Sequence, residues 1–140
     1  MAQFYQAILV DDDPTCNFLN ELWINYTQLA ENTHSYTNAD EALEFIQEQY
    51  LNVPISRSPP DLLLLDIDLG ITTGFEFLDR LSSLTDLAQL PIKIFILSSS
   101  MARQDLAQAK NYPLAGYFEK PLSEESIRQI LQVLACSESH

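Results

Sequence analysis

The stretch Ala7-Ile-Leu-Val-Asp-Asp-Asp-Pro14 decides the fold. Four apolar residues in an unbroken run suit a strand covered on both faces, where alternation is not needed. The run stops at three consecutive aspartates, and the chain turns at once into a helix: Asp13 before Pro14 reads as an N-cap with proline at the first helical position. A buried strand feeding a helix is half of a βα unit, and the same transition recurs along the chain. Residues 62–65 and 92–97 are further apolar runs of strand length, and 34–37 and 116–119 are weaker strand candidates. Helical period covers 14–29, 39–50, 74–84, 101–111 and 124–135. Asn38 with Glu41, and Thr73 with Glu76, have the spacing of capping boxes, and Ser123 caps the last helix. Five strands alternating with five helices predict an α/β domain on a parallel sheet. Residues 52–60, with three prolines, read as a long loop.

A chain of 140 residues has room for one domain with one core, so residues 1–140 are expected to form a single domain. Hydrophobic residues make up 46% and charged residues 19%, which suits a folded domain and argues against disorder. The net charge of −13 comes from 20 acids against 7 bases, and Arg57, Arg80, Lys93, Arg103, Lys110, Lys120 and Arg128 are scattered. Direct nucleic-acid binding, which needs clustered cations, is excluded on that ground. No apolar run reaches the ~18 residues of a membrane span, and no basic-then-apolar leader opens the chain, so no membrane insertion is expected. Cys16 and Cys136 form no disulfide framework or metal cluster, and a reducing cytoplasm fits them best.

In open parallel sheets ligands bind beyond the carboxyl ends of the strands. Here the first strand ends in Asp11 and Asp12 and the third in Asp66. If those strands are neighbours, three carboxylates converge, and two charges ~4 Å apart repel by about 4 kcal/mol at an effective dielectric near 20. Such a cluster takes up protons or a hard cation, and all-oxygen ligands favour Mg²⁺ over zinc. Ser98 follows the fourth apolar run and Lys120 the fifth. A hydroxyl and an ammonium beside a carboxylate–metal site are what the oxygens of a transferred phosphoryl group require.

These pieces together resemble the receiver domains of two-component response regulators. The resemblance is carried by Ile8-Leu-Val-Asp-Asp-Asp-Pro14, Asp61-Leu-Leu-Leu-Leu-Asp66, Gly74-Phe-Glu-Phe-Leu78, Ser98-Ser99 and Gly116-Tyr-Phe-Glu-Lys-Pro121, and it covers nearly the whole chain. It implies a flavodoxin-like receiver fold with strand order 2-1-3-4-5. It also implies a phosphoacceptor at Asp66, Mg²⁺ held by Asp11, Asp12, Asp66 and the backbone carbonyl of Asp68, a switch pair in Ser98 and Tyr117, and a phosphoryl-contacting Lys120. The implied partners are a histidine kinase or histidine phosphotransfer protein as phosphodonor, and a downstream protein target. The chain then catalyses only its own phosphorylation and dephosphorylation, and with no output domain expected after Ala135 its signal leaves through protein contact.

After Asp66 the chain departs from the pattern of the family it resembles. Gly70 stands where proline is usual, which is expected to loosen the loop, and Asp68 adds a carboxylate near the phosphoryl position. Asp66-Ile-Asp68 superficially resembles the Asp-x-Asp motif of haloacid-dehalogenase-type phosphatases, but Gly70 occupies the place of their Thr or Val. Asp68 and Ser100 are the side chains expected to set the lifetime of the phosphoryl group. On the first helix, Thr15, Leu19, Leu22 and Tyr26, with Phe18 beside them, form the expected core stripe. Trp23, one position off it, is the candidate docking residue for the phosphodonor.

Overall fold

The computed structural model describes residues 3–50, 59–99 and 103–138, with side chains described to residue 134. Five parallel strands lie in the order β2-β1-β3-β4-β5. They are β1 (Phe4–Val10), β2 (Ala30–Tyr36), β3 (Asp61–Asp66), β4 (Ile92–Ser98) and β5 (Gly116–Glu119). The helices between and after them are α1 (Pro14–Thr27), α2 (Ala39–Tyr50), α3 (Gly74–Ser82), α4 (Arg103–Ala109) and α5 (Glu124–Glu138). This is the flavodoxin-like receiver fold with the expected strand order.

Alternate residues of the apolar runs face opposite layers, as the two-residue strand period requires. Ile8, Val10, Leu63, Leu65, Ile94 and Ile96 pack against Ala42 and Ile46 of α2 and Phe77, Leu78 and Leu81 of α3. Ala7, Leu9, Leu62, Leu64, Phe95 and Leu97 pack against Ile24 of α1 and Ile127, Ile130 and Leu134 of α5. With both faces covered, all six residues of β3 are buried. Its far end illustrates how a carboxylate is accommodated inside: Asp61, fully buried, accepts hydrogen bonds from Gln6 Nε2 at 2.9 Å and from the Tyr50 hydroxyl.

The helix starts follow the sequence. Asp13 accepts the Thr15 N–H at 2.9 Å, Asn38 the Glu41 N–H at 2.8 Å, Thr73 the Glu76 N–H at 3.1 Å and Ser123 the Ser126 N–H at 3.2 Å. The strand expected at 34–37 runs instead over Ala30–Tyr36. Its Glu31-Asn-Thr-His-Ser sequence carries no apolar signal, because it is an edge strand whose side chains are mostly open to water. The first helix stops at Thr27, short of residue 29, where Gln28 takes a left-handed φ of 53°. A short 3₁₀ turn at Leu87–Gln89 follows α3, which ends at Ser82 and not at 84. The start expected for α4 at Met101 lies outside the described residues.

The largest correction concerns the rotation of α1. Phe18, Leu19, Leu22 and Tyr26, expected in the core, are all exposed, Tyr26 at 84%, and Thr15 is exposed as well. The buried residues are Asn17, Asn20 and Ile24. Their i, i+3, i+7 spacing is as helical as that of the apolar set, so periodicity alone could not separate the two faces. A polar bond does: Asn17 Nδ2 donates to the carbonyl of Asp11 at 3.2 Å and to that of Tyr36 at 3.1 Å.

Gly74 begins α3 directly against the end of β3. A Cβ there would lie 2.4 Å from the backbone oxygen of Asp66, and the Gly74 N–H donates to the Ile67 carbonyl at 2.6 Å. Gly74→Ala should therefore destabilise the chain by about 1–3 kcal/mol, the usual range for overpacking, read as a lowered denaturant midpoint with an unchanged slope.

Candidate functional site

At the carboxyl ends of β1 and β3 the expected acids meet. Asp11, Asp12 and Asp66 each offer a carboxylate oxygen within 4.8 Å of the others'. Asp11 and Asp66 are buried and Asp12 is exposed. The pairing of β1 with β3 in parallel, Val10 beside Leu65, brings the two strand ends together. Two unit charges at that limiting 4.8 Å separation repel by about 3–4 kcal/mol at an effective dielectric near 20.

Lys120 answers that repulsion. Its Nζ lies 2.6 Å from Asp11 Oδ2 and 2.9 Å from Asp66 Oδ2, with the lysine side chain 14% exposed. Strand β5 places it, the Lys120 N–H donating to the Ser98 carbonyl at 2.7 Å. The remaining carboxylate oxygens take backbone donors. Asp11 Oδ1 accepts the Asp13 N–H at 2.9 Å, and Asp66 Oδ1 accepts the Asp68 N–H at 3.3 Å. Three carboxylates against one ammonium leave the cluster electronegative, and its donors are all hard oxygens. That set fits Mg²⁺ or a similar hard divalent cation.

The electrostatics follow. Burial pushes the Asp66 carboxyl up to about 6, with the Lys120 hydrogen bond pulling down and the Asp11 charge pushing up. Asp12 is raised by burial and then by the charges of Asp11 and Asp68, with Lys120 opposing. For Lys120 burial works against the charged form, but the hydrogen bonds to Asp11 and Asp66 outweigh it and hold the ammonium well above its ordinary range. The cluster is thus held together by a cation that does not readily leave, around a carboxylate that takes up a proton more easily than most.

The other expected residues are placed as follows. Ser98 is buried at the end of β4. Tyr117 is exposed on β5, in register with Ile96. Asp68 is exposed at the rim, and its Oδ1 accepts the Gly70 N–H at 2.9 Å. Gly70 has a φ of 85°, a conformation closed to proline. A Cβ on Gly70 would be 3.5 Å from Asp12 Oδ2, so the turn passes close to that carboxylate. An isolated bridge between Asp68 and Thr73 closes the turn. The loop expected to be loosened by Gly70 is therefore held by its own bonds. Ser100 lies outside the described residues. Trp23, half-buried on α1, is distant in role from the acids: with Leu19, Leu22, Tyr26, Thr27 and Glu124 it lines a groove of about 640 Å³. Its ring meets that of Tyr26 edge-on at 6.3 Å. The residue that sequence reasoning missed is Asn17, since a lone asparagine on a helix gives no sign of facing inward.

Comparison with known proteins points to one family. The family model of the response regulator receiver domain matches residues 7–132. The chain is 24% identical over 127 residues to the two-component response regulator ORR1 of Oryza sativa subsp. japonica, covering 89% of this chain and 53% of that protein. It thus spans about half the length of that curated relative. Among solved structures it is similar to a two-component response regulator from Cytophaga hutchinsonii, with 26% identity and a TM-score of 0.80 over 94% of this chain and 98% of that one. A response regulator receiver protein from Dyadobacter fermentans is 25% identical, with a TM-score of 0.77 at the same coverage.

The raised Asp66 has a signed consequence for stability. Between its folded value of about 6 and the ordinary 3.8, the folded chain binds a proton that the unfolded chain does not. This group therefore favours folding as pH falls through that window, and its ionised form opposes folding above about 6. In EDTA, Asp66→Asn should stabilise the chain at pH 7.5 by about 1–3 kcal/mol. The gain should shrink at pH 5, both read by chemical denaturation.

Proposed function

Because the chain belongs to the response regulator receiver domain family, we propose that it is the phosphoacceptor of a two-component phosphorelay, taking a phosphoryl group from a phosphohistidine onto Asp66. The observation that carries this reading is the meeting of Asp66 with Asp11, Asp12 and Lys120 at one sheet edge. An Asp66 carboxylate oxygen attacks phosphorus, the P–N bond to the donor imidazole breaks, and the imidazole departs with the bonding pair. Water later attacks the phosphorus, releasing inorganic phosphate and restoring the carboxylate. The chain catalyses these two steps on itself alone.

Asp11, Asp12 and Asp66 would hold Mg²⁺, with the backbone carbonyl of Asp68 completing the protein's share. Bound there, the ion spreads charge off the transferring phosphoryl oxygens. Lys120, already paired with Asp66, is placed to follow those oxygens as they arrive, and Ser98 to donate its hydroxyl. The new oxygens would draw Ser98 inward and Tyr117, exposed on β5, would turn to fill the space. That change gives a downstream protein target a surface to distinguish. Asp68, with one oxygen on the Gly70 N–H, would use the other to orient the hydrolytic water, and Ser100 would leave the in-line approach open.

Incubated with acetyl phosphate and Mg²⁺, the wild-type chain should gain one phosphoryl group by intact-mass measurement. Asp66→Asn should gain none, and Asp12→Asn should require at least about tenfold more Mg²⁺, as loss of a direct metal ligand implies. Labelling of Asp66→Asn at the wild-type rate would overturn the acceptor assignment, and full labelling in EDTA would overturn the metal.

The phosphodonor is a histidine kinase or histidine phosphotransfer protein, and its docking site is the α1 groove around Trp23. That face is apolar and outward, and tryptophan is a favoured anchor. Trp23→Ala should slow transfer from a phosphorylated protein donor by about tenfold, the effect of losing roughly 1.4 kcal/mol. Labelling by acetyl phosphate should be unchanged.

A further inference from the structure

Asn17 belongs to none of the acids or to Lys120, yet it is bonded to the backbone that carries two of them. Its side chain is buried, 3% exposed, on the inward face of α1. Nδ2 donates to the Asp11 carbonyl at 3.2 Å and to the Tyr36 carbonyl at 3.1 Å. Its own N–H donates to the Asp13 carbonyl at 3.2 Å, the first bond of the helix. One residue thus joins the end of β1, the end of β2 and the start of α1.

The Tyr36 carbonyl does not need this donor, because it already accepts the Asp11 N–H at 3.1 Å. The carbonyl end of the Asn17 amide gains nothing either: Oδ1 is buried with no hydrogen-bond partner among the described residues. An unsatisfied buried acceptor is unfavourable, and an apolar side chain of the same shape avoids it. An asparagine at this position is therefore explained by its donors, and the carbonyl that depends on them is that of Asp11.

That carbonyl belongs to the peptide joining Asp11 to Asp12. The Asp11 side chain is itself tied down by Lys120 and by the Asp13 N–H. Asp12 is exposed at the cluster's edge, so the direction of its carboxylate is inherited from the backbone on which it stands. We infer that Asn17 is a positioning residue for the acidic cluster: by fixing the Asp11–Asp12 peptide it presets the direction of Asp12 toward the cation the cluster binds. This rests on the reading of Asp11, Asp12 and Asp66 as a Mg²⁺ site, and it makes Asn17 part of how tightly that ion is held, without contact with the ion.

The test uses Mg²⁺ alone, titrated calorimetrically into wild type, Asn17→Leu and Asn20→Leu. Asn17→Leu should raise the Mg²⁺ dissociation constant about tenfold, the low end of what loss of an outer-shell support does to metal affinity. Its labelling by acetyl phosphate should show the same shift in the Mg²⁺ needed for half-maximal rate. The rate at saturating Mg²⁺ should stay within about twofold of wild type, since Asn17 touches neither Asp66 nor Lys120. Asn20 is equally buried on the same face, one turn further from the acids, and Asn20→Leu should leave the Mg²⁺ constant unchanged whatever it does to stability. An unshifted constant in Asn17→Leu, or an equal shift in both variants, would overturn the inference. Wild type failing to bind Mg²⁺ at all would instead overturn the metal-site reading beneath it. A second measurement needs no variant: the Asn17 side-chain amide resonances should shift on Mg²⁺ addition in step with the Asp12 amide. Resonances that stay still through saturation would count against the proposal even if Asn17→Leu does not fold.

Discussion

The mutual repulsion of Asp11 and Asp66 is the constraint around which the rest of the molecule is arranged. Neither side chain can retreat into solvent, because each terminates a strand that is covered on both faces. The two ends of β3 show what is at stake. At one end Asp61 is met by neutral donors, an amide and a phenol. At the other, Asp66 shares an ammonium with a second carboxylate, and burial raises its proton affinity. The first arrangement brings two neutral donors to one carboxylate oxygen, Asp61 Oδ2. The second leaves negative charge that a proton, a divalent cation or a changed partner for Lys120 can alter, and chemistry requires a group of that kind.

Local devices hold this charged edge in place. Gly74 lets α3 begin against the Asp66 carbonyl, where any side chain would collide. Gly70 and Asp68 close the intervening loop into a turn that passes beside Asp12, so the proline common in the family is replaced by a different restraint. Asn17 does the corresponding work on the β1 side. The acids are therefore not merely adjacent in sequence to loops; each loop is pinned to a rigid element within a residue or two of its carboxylate, which is how a site gains the precision that loops alone lack.

The same asparagine has an effect at longer range. Turning Asn17 and Asn20 inward rotates Phe18, Leu19, Leu22 and Tyr26 outward. A contiguous apolar helix face in water is unfavourable unless something covers it, and it lies on the helix that starts at the acidic cluster. The bonds from Asn17 to the Asp11 and Tyr36 carbonyls and the outward apolar face are thus two consequences of one helix rotation.

The βα alternation, the caps at Asp13, Asn38, Thr73 and Ser123, and the apolar runs of β1, β3 and β4 were legible in the residues because each is a local preference that the fold does not override. The candidate acids were legible because strand ends are where open parallel sheets place their ligands, and Ser98 and Lys120 because each follows its own apolar run or strand candidate in the sequence. Edge strand β2 was only partly legible, since a strand largely open to water on its side-chain surface has no apolar pattern to display. The rotation of α1 was not legible at all. Its two candidate faces have the same period, and the choice between them depends on backbone carbonyls of β1 and β2 that come within reach of Asn17 only when those strands pair. What the sequence determined by itself was which elements form and which charged groups stand at their ends. Tertiary structure alone decided which way the first helix turns and how close the carboxylates lie, because both depend on distances between residues that the chain brings together only on folding.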